Sequence, residues 1–241
     1  MMKLKASNLN KSYSGKEAVS NVSIEVTEGE TVGLLGPNGA GKTTFFYMIA
    51  GLISIDSGNV LINEKEITNL DISARSKTGL SYLPQEPSIF RRLTVEQNIL
   101  SALEQRKDLK KSEIIGEKNR LLQEFNLVNF VNTLGIKLSG GERRRTEIAR
   151  ALACNPKFLL LDEPFAGIDP IAVSDLKTTI KKLNTSGYGV LISDHNVRDT
   201  MQICDRVLVM SEGKIVAEGT PEEVSKDVKV REVYLGKDFS P

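Results

Sequence analysis

One short stretch, "GPNGAGKTT" at residues 36–44, limits the possible folds more than any other part of the sequence. It follows the apolar run "TVGLL" and precedes "TTFFYMIAGL", whose pattern is helical, so G-x-x-x-x-G-K-T lies between a strand and a helix. In that context the glycines let backbone N–H groups surround phosphate oxygens, and the helix N-terminus faces the same anion. The flanking elements disfavour the alternative, an ordinary glycine-rich turn. The stretch therefore predicts a phosphate site.

A phosphate site that hydrolyses nucleotide also needs a cation and a group that activates water. Lys42 is expected to reach the β and γ phosphates, and Thr43 to hold Mg²⁺. The stretch "FLLLDEP" ends a second apolar run with Asp162, a candidate magnesium ligand, and Glu163, a candidate general base. Acidic residues often simply end strands, and the phosphate loop is what favours the catalytic interpretation. The predicted nucleotide-binding residues of the loop are Gly36, Pro37, Asn38, Gly39, Ala40, Gly41, Lys42, Thr43 and Thr44.

Unbroken apolar runs recur along the chain as "TVGLL", "LSYLP", "FLLLDEP" and "GVLISDH". Runs without alternation are typical of strands covered on both faces, so they predict an α/β fold with a mostly parallel core sheet. The beginning alternates like antiparallel strands, and "RVLVMSEGKIVAEG" predicts a hairpin around Glu212 and Gly213. Between residues 86 and 154 the strand patterns give way to helical ones, and a capping box of Thr94 and Gln97 begins the first helix.

These patterns predict one domain over residues 1–241, built from three parts. Residues 1–85 and 155–219 are expected to form a nucleotide-binding α/β core with an antiparallel β part. Residues 86–154 are expected to form an inserted helical subdomain, and residues 220–241 a C-terminal tail. The tail either packs against a partner copy or merely finishes the fold.

The composition limits the partners of the chain. Its 241 residues carry 32 basic and 31 acidic side chains, a net charge of +1, which disfavours a nucleic-acid partner. No stretch approaches the roughly 20 apolar residues of a membrane span, and the beginning has no apolar segment of signal-peptide length. Cys154 and Cys204 lack metal-ligand spacing and are expected to be packing residues. We expect a cytoplasmic protein that reaches a membrane only through partners.

Further motifs make the chain resemble the ATP-binding-cassette (ABC) ATPases over essentially its whole length. The resemblance implies that Tyr13 stacks on adenine and that Gln85, in "YLPQEP", senses the γ-phosphate and magnesium. It also implies a switch histidine, His195 in "ISDHN", and an aspartate loop that contributes to the ATP site, Asp169 in "FAGIDP". Taken singly, such residues are usually structural. Six motifs in the family's order are what makes the resemblance specific.

The stretch "LSGGE", which ends at Glu142, is similar to the signature of this family. Ser139 and Glu142 also have the spacing of a capping box, so a well-capped helix is a simpler and compatible interpretation. The resemblance implies that this signature, with Ser139 and the amides near Gly140 and Gly141, faces the γ-phosphate of ATP held by another copy. Because the chain has one phosphate loop and one signature, we expect a homodimer closed by two ATP molecules. A GTPase or kinase with the same loop would lack the signature.

Three arginines, Arg143, Arg144 and Arg145, follow the signature at a helix start, where the helix dipole is already positive. The near-zero net charge disfavours nucleic acid as their ligand. We expect the run to lie near the triphosphate brought by the partner copy, with the arginine that faces it left open; for Arg143, an ion pair with Glu147 one turn further on is the favoured alternative.

Within the family, "YLPQEPSIFRRLTVEQNI" and "VKVREVYLGKDF" are most similar to the ATPases of lipopolysaccharide exporters of Gram-negative inner membranes. ATPases of branched-chain amino-acid importers are the alternative, and a non-transport cassette protein would usually show a coiled-coil insertion or a second cassette. The resemblance implies a groove after Gln85 for two integral membrane subunits, with Phe90 as an apolar anchor and Arg91 and Arg92 engaging polar groups. An ordinary exposed loop is the other interpretation of this segment.

The same resemblance implies ATP and Mg²⁺ as cofactors. It places the chain at the cytoplasmic face of the inner membrane, as a peripheral subunit. It also implies that the cassette makes no direct contact with the transported cargo.

Overall fold

The computed structural model of the chain describes residues 1–236 and arranges the strands in two sheets. A four-stranded sheet has the order β2-β1-β4-β5, and a six-stranded sheet has the order β10-β9-β3-β8-β7-β6. The strands are β1 (Lys3–Tyr13), β2 (Lys16–Thr27), β3 (Thr31–Leu35), β4 (Ser57–Ile62), β5 (Lys65–Glu66), β6 (Leu80–Leu83), β7 (Phe158–Asp162), β8 (Gly189–Ser193), β9 (Arg206–Ser211) and β10 (Lys214–Gly219).

The six-stranded sheet is parallel except for β10, which pairs with β9 as an antiparallel hairpin. Every residue of β3, β7 and β8 is buried, because helices or the second sheet cover both faces of these strands. The predicted α/β fold with a mostly parallel sheet is confirmed, and so is the hairpin around Glu212 and Gly213. The parallel strands bring their carboxyl ends to one edge, where ligands bind in such folds.

The four-stranded sheet is antiparallel throughout, as the alternating pattern at the beginning of the chain predicts. Its inner face joins a core cluster with the first helix, and this cluster includes Leu4, Leu9, Val22, Phe45 and Ile49. The helix that carries the phosphate loop at its start is therefore packed between the two sheets.

Nine helices occur among residues 1–236: α1 (Lys42–Ala50), α2 (Ile72–Lys77), α3 (Val95–Leu103), α4 (Lys111–Glu124), α5 (Gly140–Ala153), α6 (Pro170–Thr185), α7 (Val197–Met201), α8 (Pro221–Lys226) and α9 (Val228–Val230). None of these described helices has both the length and the apolar character needed to cross a membrane.

The segment between β6 and β7 contains α3, α4 and α5 and two short 3-10 turns. Helix α3 begins at the predicted capping box, in which the Thr94 Oγ1 accepts from Gln97 N and the Gln97 side chain accepts from Thr94 N. A core cluster joins α3, α4 and α5 to β7 and β8, and Ile99, Leu121 and Ile148 belong to it. This packing ties the inserted helices to the strands that carry the acidic motif.

The tail described by the structure continues from β10 through α8 and α9 into a π-helical turn, Arg231–Leu235. Val224 and Val230 of the tail pack against Leu35, Val207 and Val209 in a third cluster. The tail thus closes one flank of its own parallel sheet. The last letters of the predicted terminal motif, "KDF", lie outside the described residues.

Both cysteines are free thiols. Cys204 packs between two core clusters, as predicted. Cys154 directly follows the last residue of α5 and is exposed, so the prediction of a packing role is wrong for this residue.

Candidate functional site

The phosphate loop, residues 36–41, joins β3 to α1 and lies against the backbone of two other strands. Gly36 has a φ of 147° and Gly41 a φ of 104°, a region that side chains rarely adopt. A Cβ at Gly36 would lie 2.1 Å from the Met210 carbonyl oxygen, and one at Gly41 would lie 2.2 Å from the Ala18 carbonyl oxygen. The loop can therefore reach this position only with glycine at both ends.

Lys42 is the first residue of α1, and its side chain folds back over the loop. The ammonium donates to the Gly36 carbonyl at 2.7 Å and to the Pro37 carbonyl at 3.0 Å. Burial lowers the pKa of Lys42, while the carboxylates of Glu163 and Asp162 act in the opposite direction. A cation is thus held at the centre of the loop, where it can exchange its carbonyl partners for phosphate oxygens.

The loop forms the floor of a cleft of about 630 Å³. Tyr13 lies at its edge with 48% of its surface exposed, and the Lys11 ammonium is 5.6 Å from the centre of the Tyr13 ring. An exposed aromatic face beside a phosphate loop is what stacking on a base requires. The cleft is lined by Tyr13, Lys16, Glu17, Ala18, Asn38, Gly39, Ala40, Gly41, Lys42, Thr43, Thr44, Glu163, Glu212 and Gly213.

Sequence reasoning missed the contribution of the β9–β10 hairpin to this cleft. Glu212 and Gly213 line it, and the Gly213 N–H donates to the Ala40 carbonyl at 2.9 Å. The Gly213 carbonyl in turn accepts from the Ser20 N–H at 2.8 Å. The hairpin itself was predictable from its turn residues, but its contact with the phosphate loop depends on the sheet order.

Asp162 ends β7 and is almost completely buried. Its Oδ2 accepts a hydrogen bond from the Tyr82 hydroxyl at 3.2 Å. The pKa of Asp162 is raised to about 6, mainly because the carboxyl group is buried. The negative charge of Glu163 raises this pKa further. The Tyr82 hydrogen bond and the positive charges of Arg144 and Lys42 lower it. The buried carboxylate of Asp162 and the exposed hydroxyl of Thr43, at the start of α1, are oxygen ligands of the kind that a hard cation prefers.

Glu163 follows directly and has a left-handed backbone, with a φ of 42°. This strained conformation is stabilised by a 2.6 Å hydrogen bond from the Glu163 N–H to the Ser193 carbonyl. The turn places the carboxylate where Gln85 Nε2 donates to Oε2 at 2.7 Å and His195 Nδ1 lies 3.2 Å from the same oxygen. Residues predicted from three separate motifs, after β6, β7 and β8, therefore meet at one carboxylate.

Asp194 was not predicted, although it precedes the predicted switch histidine. It is fully buried, and its carboxylate accepts from the Phe165 N–H at 3.0 Å and from the Asn196 N–H at 2.8 Å. Burial raises the pKa of Asp194, and these two hydrogen bonds lower it. Its Oδ1 lies 3.6 Å from His195 Nδ1. Asp194 thus ties the segment after Glu163 to the segment that carries His195.

The signature residues lie apart from this cleft. Ser139 Oγ accepts from the Glu142 N–H at 3.4 Å, and Glu142 Oε2 accepts from the Ser139 N–H at 2.9 Å, so the predicted capping box of α5 is confirmed. A Cβ at Gly141 would lie 2.6 Å from the Ala172 Cβ, and Asp169 caps the adjacent helix α6. The signature and the aspartate loop are therefore packed together, while Ser139 and Asp169 remain exposed.

Comparisons with known proteins show to which family the chain belongs. A family model described as ABC transporter matches residues 19–166, and a second, described as branched-chain amino acid ATP-binding cassette transporter, matches residues 214–240. The chain is 53% identical over 239 residues to the lipopolysaccharide export system ATP-binding protein LptB of Escherichia coli (strain K12), covering 99% of each chain. The chain belongs to the ABC transporter family. It is an ATP-hydrolysing subunit of that family.

Solved structures of other ABC cassettes share the fold. The ADP conformation of the ATP-binding cassette MJ1267 matches with a TM-score of 0.87 and 30% identity, covering 98% of this chain and 100% of that one. The dimeric structure of a post-hydrolysis state of the cassette MJ0796, bound to ADP and Pi, matches with a TM-score of 0.79 and 28% identity. That match covers 90% of this chain and 98% of the MJ0796 chain.

The three arginines at the start of α5 differ in their exposure: Arg143 and Arg145 are partly exposed and Arg144 is buried. Arg144 is buried, and it donates to the Pro84 carbonyl at 2.9 Å and to the Asp162 carbonyl at 3.1 Å. It also forms an ion pair with Glu147 at 3.3 Å. The prediction that Arg143 pairs with Glu147 is wrong, because Glu147 points into the protein on the same buried face as Arg144.

Glu147 is itself anchored on the segment that follows Gln85. Its Oε1 accepts from the Ser88 N–H at 2.8 Å and from the Ile89 N–H at 3.0 Å. Together with Arg144, it fixes helix α5 to the end of β6 and to the end of β7. These contacts were beyond sequence reasoning, because the buried side of α5 is set by packing against two distant segments.

The predicted partner groove of the cassette lies beside the same segment. Phe90 has 51% of its surface exposed, and the Arg150 guanidinium lies 4.7 Å from the centre of its ring. The ring borders a groove of about 370 Å³ that is also lined by Ile72 and Ser76 of α2. Arg91 and Arg92 are exposed and line a shallower depression next to Phe90.

The backbone around Phe90 is held firmly despite its exposed side chain. Asn98 is fully buried, and its Oδ1 accepts from the Phe90 N–H at 2.9 Å. Its Nδ2 donates to the carbonyls of Phe90, Leu93 and Thr94 at 3.1, 3.3 and 2.9 Å. Buried hydrogen bonds therefore hold the backbone of this segment in place while the ring of Phe90 stays half exposed.

Proposed function

We propose that this chain is the ATPase subunit of a lipopolysaccharide exporter, working as a homodimer on the cytoplasmic face of an inner membrane. The observation that carries the proposal is the 53% identity to LptB along 99% of both chains, since it includes the groove segment as well as the nucleotide motifs. The convergence of Gln85, Glu163 and His195 beside the phosphate loop supports the hydrolytic part.

In the proposed reaction, Glu163 accepts the proton of the attacking water, and Gln85 and His195 hold its carboxylate in place. Lys42 stabilises the charge that develops on the phosphate oxygens. Thr43, Asp162 and Gln85 are the residues that would hold Mg²⁺, which supplies further charge stabilisation when bound. Tyr13 provides the face on which adenine stacks.

The separation of the two halves of the site supports the homodimer. Ser139 and Asp169 are exposed and lie outside the cleft that contains Lys42, so within one chain they are left without a nucleotide. A head-to-tail dimer would bring the signature of one copy to the cleft of the other. The dimer of MJ0796 bound to ADP and Pi supports this arrangement.

Light scattering of the Glu163→Gln variant tests the dimer. This variant keeps the volume and the Gln85 contact but removes the general base, so ATP is bound without being consumed. With saturating Mg·ATP we expect a stable dimer, and with ADP alone a monomer; the membrane subunits are left out of this comparison, because docking to them would hold two copies together with either nucleotide. A monomer under both conditions would refute the proposal.

The groove beside Phe90 is proposed to receive a helix of each membrane subunit. Phe90→Ala is expected to abolish co-purification with the membrane subunits while leaving the fold intact. Ile115→Ala is a matched control, because Ile115 is also an exposed apolar residue of the inserted helices, with 57% of its surface exposed. Full co-purification and transport by Phe90→Ala would exclude the groove as the docking site.

The alternative, a branched-chain amino-acid importer, is not favoured by the curated relatives, although the model for that group matches residues 214–240. The two candidates differ in their membrane partners. Purification of the tagged chain from membranes, followed by identification of the bound integral membrane proteins, separates them. ATPase activity that rises with reconstituted exporter subunits and lipopolysaccharide supports the first candidate; activity that rises only with importer subunits supports the second.

A further inference from the structure

The tail places one tyrosine between the two segments that carry ATP-site residues. Tyr234, in the π-helical turn Arg231–Leu235, packs against the third core cluster. This cluster contains Leu35, the residue directly before Gly36 of the phosphate loop, and Met201, the last residue of α7. Helix α7 begins two residues after His195, so the ring contacts elements that lead to both sides of the γ-phosphate position.

The hydroxyl of Tyr234 is completely buried and makes no hydrogen bond in this structure. Two groups of the ATP site nevertheless influence it. Burial raises the pKa of Tyr234, the backbone N–H of Gly36 lowers it, and the Asp194 carboxylate raises it. These two groups match the two capacities of a hydroxyl, which can accept from a backbone N–H and donate to a carboxylate, but neither bond is made in this structure.

An unpaired buried hydroxyl destabilises the state in which it occurs, so it calls for a state in which it is paired. The phosphate loop offers such a change. In this structure Lys42 donates to the carbonyls of Gly36 and Pro37. When Lys42 turns to phosphate oxygens, those two carbonyls lose their donor and the peptide groups at Gly36 are free to reorient.

We infer that Tyr234 is a positioning residue of the ATP site, whose hydroxyl pairs with Gly36 N–H and with Asp194 when nucleotide is bound. Asp194 is joined to Phe165, two residues after Glu163, and lies directly before His195. The hydroxyl thus fixes the distance between the phosphate loop and the switch histidine from the tail side. The inference rests on the ATPase activity of this site and goes beyond the residues that would contact nucleotide.

The test is the Tyr234→Phe variant of the full chain, which keeps the ring in its cluster and removes only the hydroxyl. Its kcat for ATP is expected to fall about 3- to 10-fold, the effect of one hydrogen bond, while KM stays within about twofold. Without nucleotide its melting temperature should equal or exceed that of the unmodified chain. The additional thermal stabilisation by ATP should be smaller. Tyr188→Phe, at a partly buried tyrosine outside the site, is the control and should leave kcat, KM and the additional stabilisation by ATP unchanged.

A double-mutant cycle with Asp194→Ala, which removes the acceptor, separates positioning from packing. If the hydroxyl acts through Asp194, Tyr234→Phe should have little further effect on kcat in the Asp194→Ala background. Additive losses, or a Tyr234→Phe variant with unchanged kcat and unchanged stabilisation by ATP, would overturn the inference. An unmodified chain that fails to hydrolyse ATP would instead contradict the proposed function.

Discussion

Replacement of Arg144 by methionine is expected to destabilise the chain strongly. Methionine fills similar apolar space, but Glu147 would keep a buried charge with 2% of its surface exposed. The carbonyls of Pro84 and Asp162 would also lose their donors. Removal of one partner from a buried ion pair costs about 3–5 kcal/mol, much more than an exposed pair contributes.

The expected loss is large enough to measure by two methods. For a chain of this size, each kcal/mol changes the melting temperature by about 2–4 °C, so Arg144→Met should melt about 6–20 °C lower. Urea titration should give the same free-energy difference without a large change in the slope. ATPase activity should fall as well, because Arg144 holds the backbone beside Gln85 and at Asp162.

Arg143→Met is the matched control, since Arg143 precedes Arg144 on α5 but lies outside the ion pair. Its free energy of unfolding should stay within about 0.5 kcal/mol of that of the unmodified chain. The double variant Arg144→Met with Glu147→Met should lose less stability than the sum of the single variants, because it leaves no unpaired charge. Equal stabilities of Arg144→Met and Arg143→Met would show that the pair has no structural role.

Two further predictions concern the phosphate loop and the antiparallel sheet. Gly41→Ala should lower kcat/KM for ATP about 100-fold, because its Cβ would displace the loop from Ala18. In the control Gly39→Ala, the added Cβ meets no atom within 4 Å, so kcat/KM should fall about tenfold or less. Equal losses of kcat/KM in the two variants would contradict this prediction. The Lys11 hydrogen bond lowers the pKa of Asp56 below its ordinary 3.8, so the ionised carboxylate stabilises the folded chain. Asp56→Asn should therefore lower the free energy of unfolding at pH 7, and this difference from the unmodified chain should disappear as the pH falls below 3.8. Urea titrations between pH 3 and pH 7 measure this difference, and a difference that grows toward acid would show the opposite linkage.

The parts of this molecule that could be predicted are those that depend on residues close together in the sequence. Burial on both faces makes parallel strands uniformly apolar, and a phosphate loop needs glycines and lysine at fixed spacing, so β3, β7 and β8 and the cleft were visible in the sequence. Arg75 shows what was not visible. It is buried, and its guanidinium donates to the carbonyls of Met48, Ile49 and Thr68. Such a residue caps the end of α1 only because α2 folds onto it.

Asp194 and Arg144 escaped prediction for the same physical reason. The role of a polar residue can be predicted from sequence spacing when its partners are near in sequence and have a characteristic residue type, as in the capping boxes of Thr94 and Ser139. Apart from Asn196 and Glu147, which lie two and three residues away, the partners of Asp194 and Arg144 are backbone groups of segments about 20 to 60 residues away, and any residue type supplies such groups. The sequence therefore contains no second residue type at a fixed spacing from which the contacts of Asp194 and Arg144 with these backbone groups could be predicted.

The contacts of α5 connect the hydrolytic edge of the sheet to the groove. Arg144 and Glu147 hold both ends of the turn that contains Gln85, and Arg150 donates to the Ser88 carbonyl at 2.7 Å and lies over Phe90. Because one helix holds the whole turn, we expect the turn and the start of α5, which carries the signature, to move together. A shift of the signature toward nucleotide on a partner copy would then displace the groove by the same motion, without any flexible linkage between them.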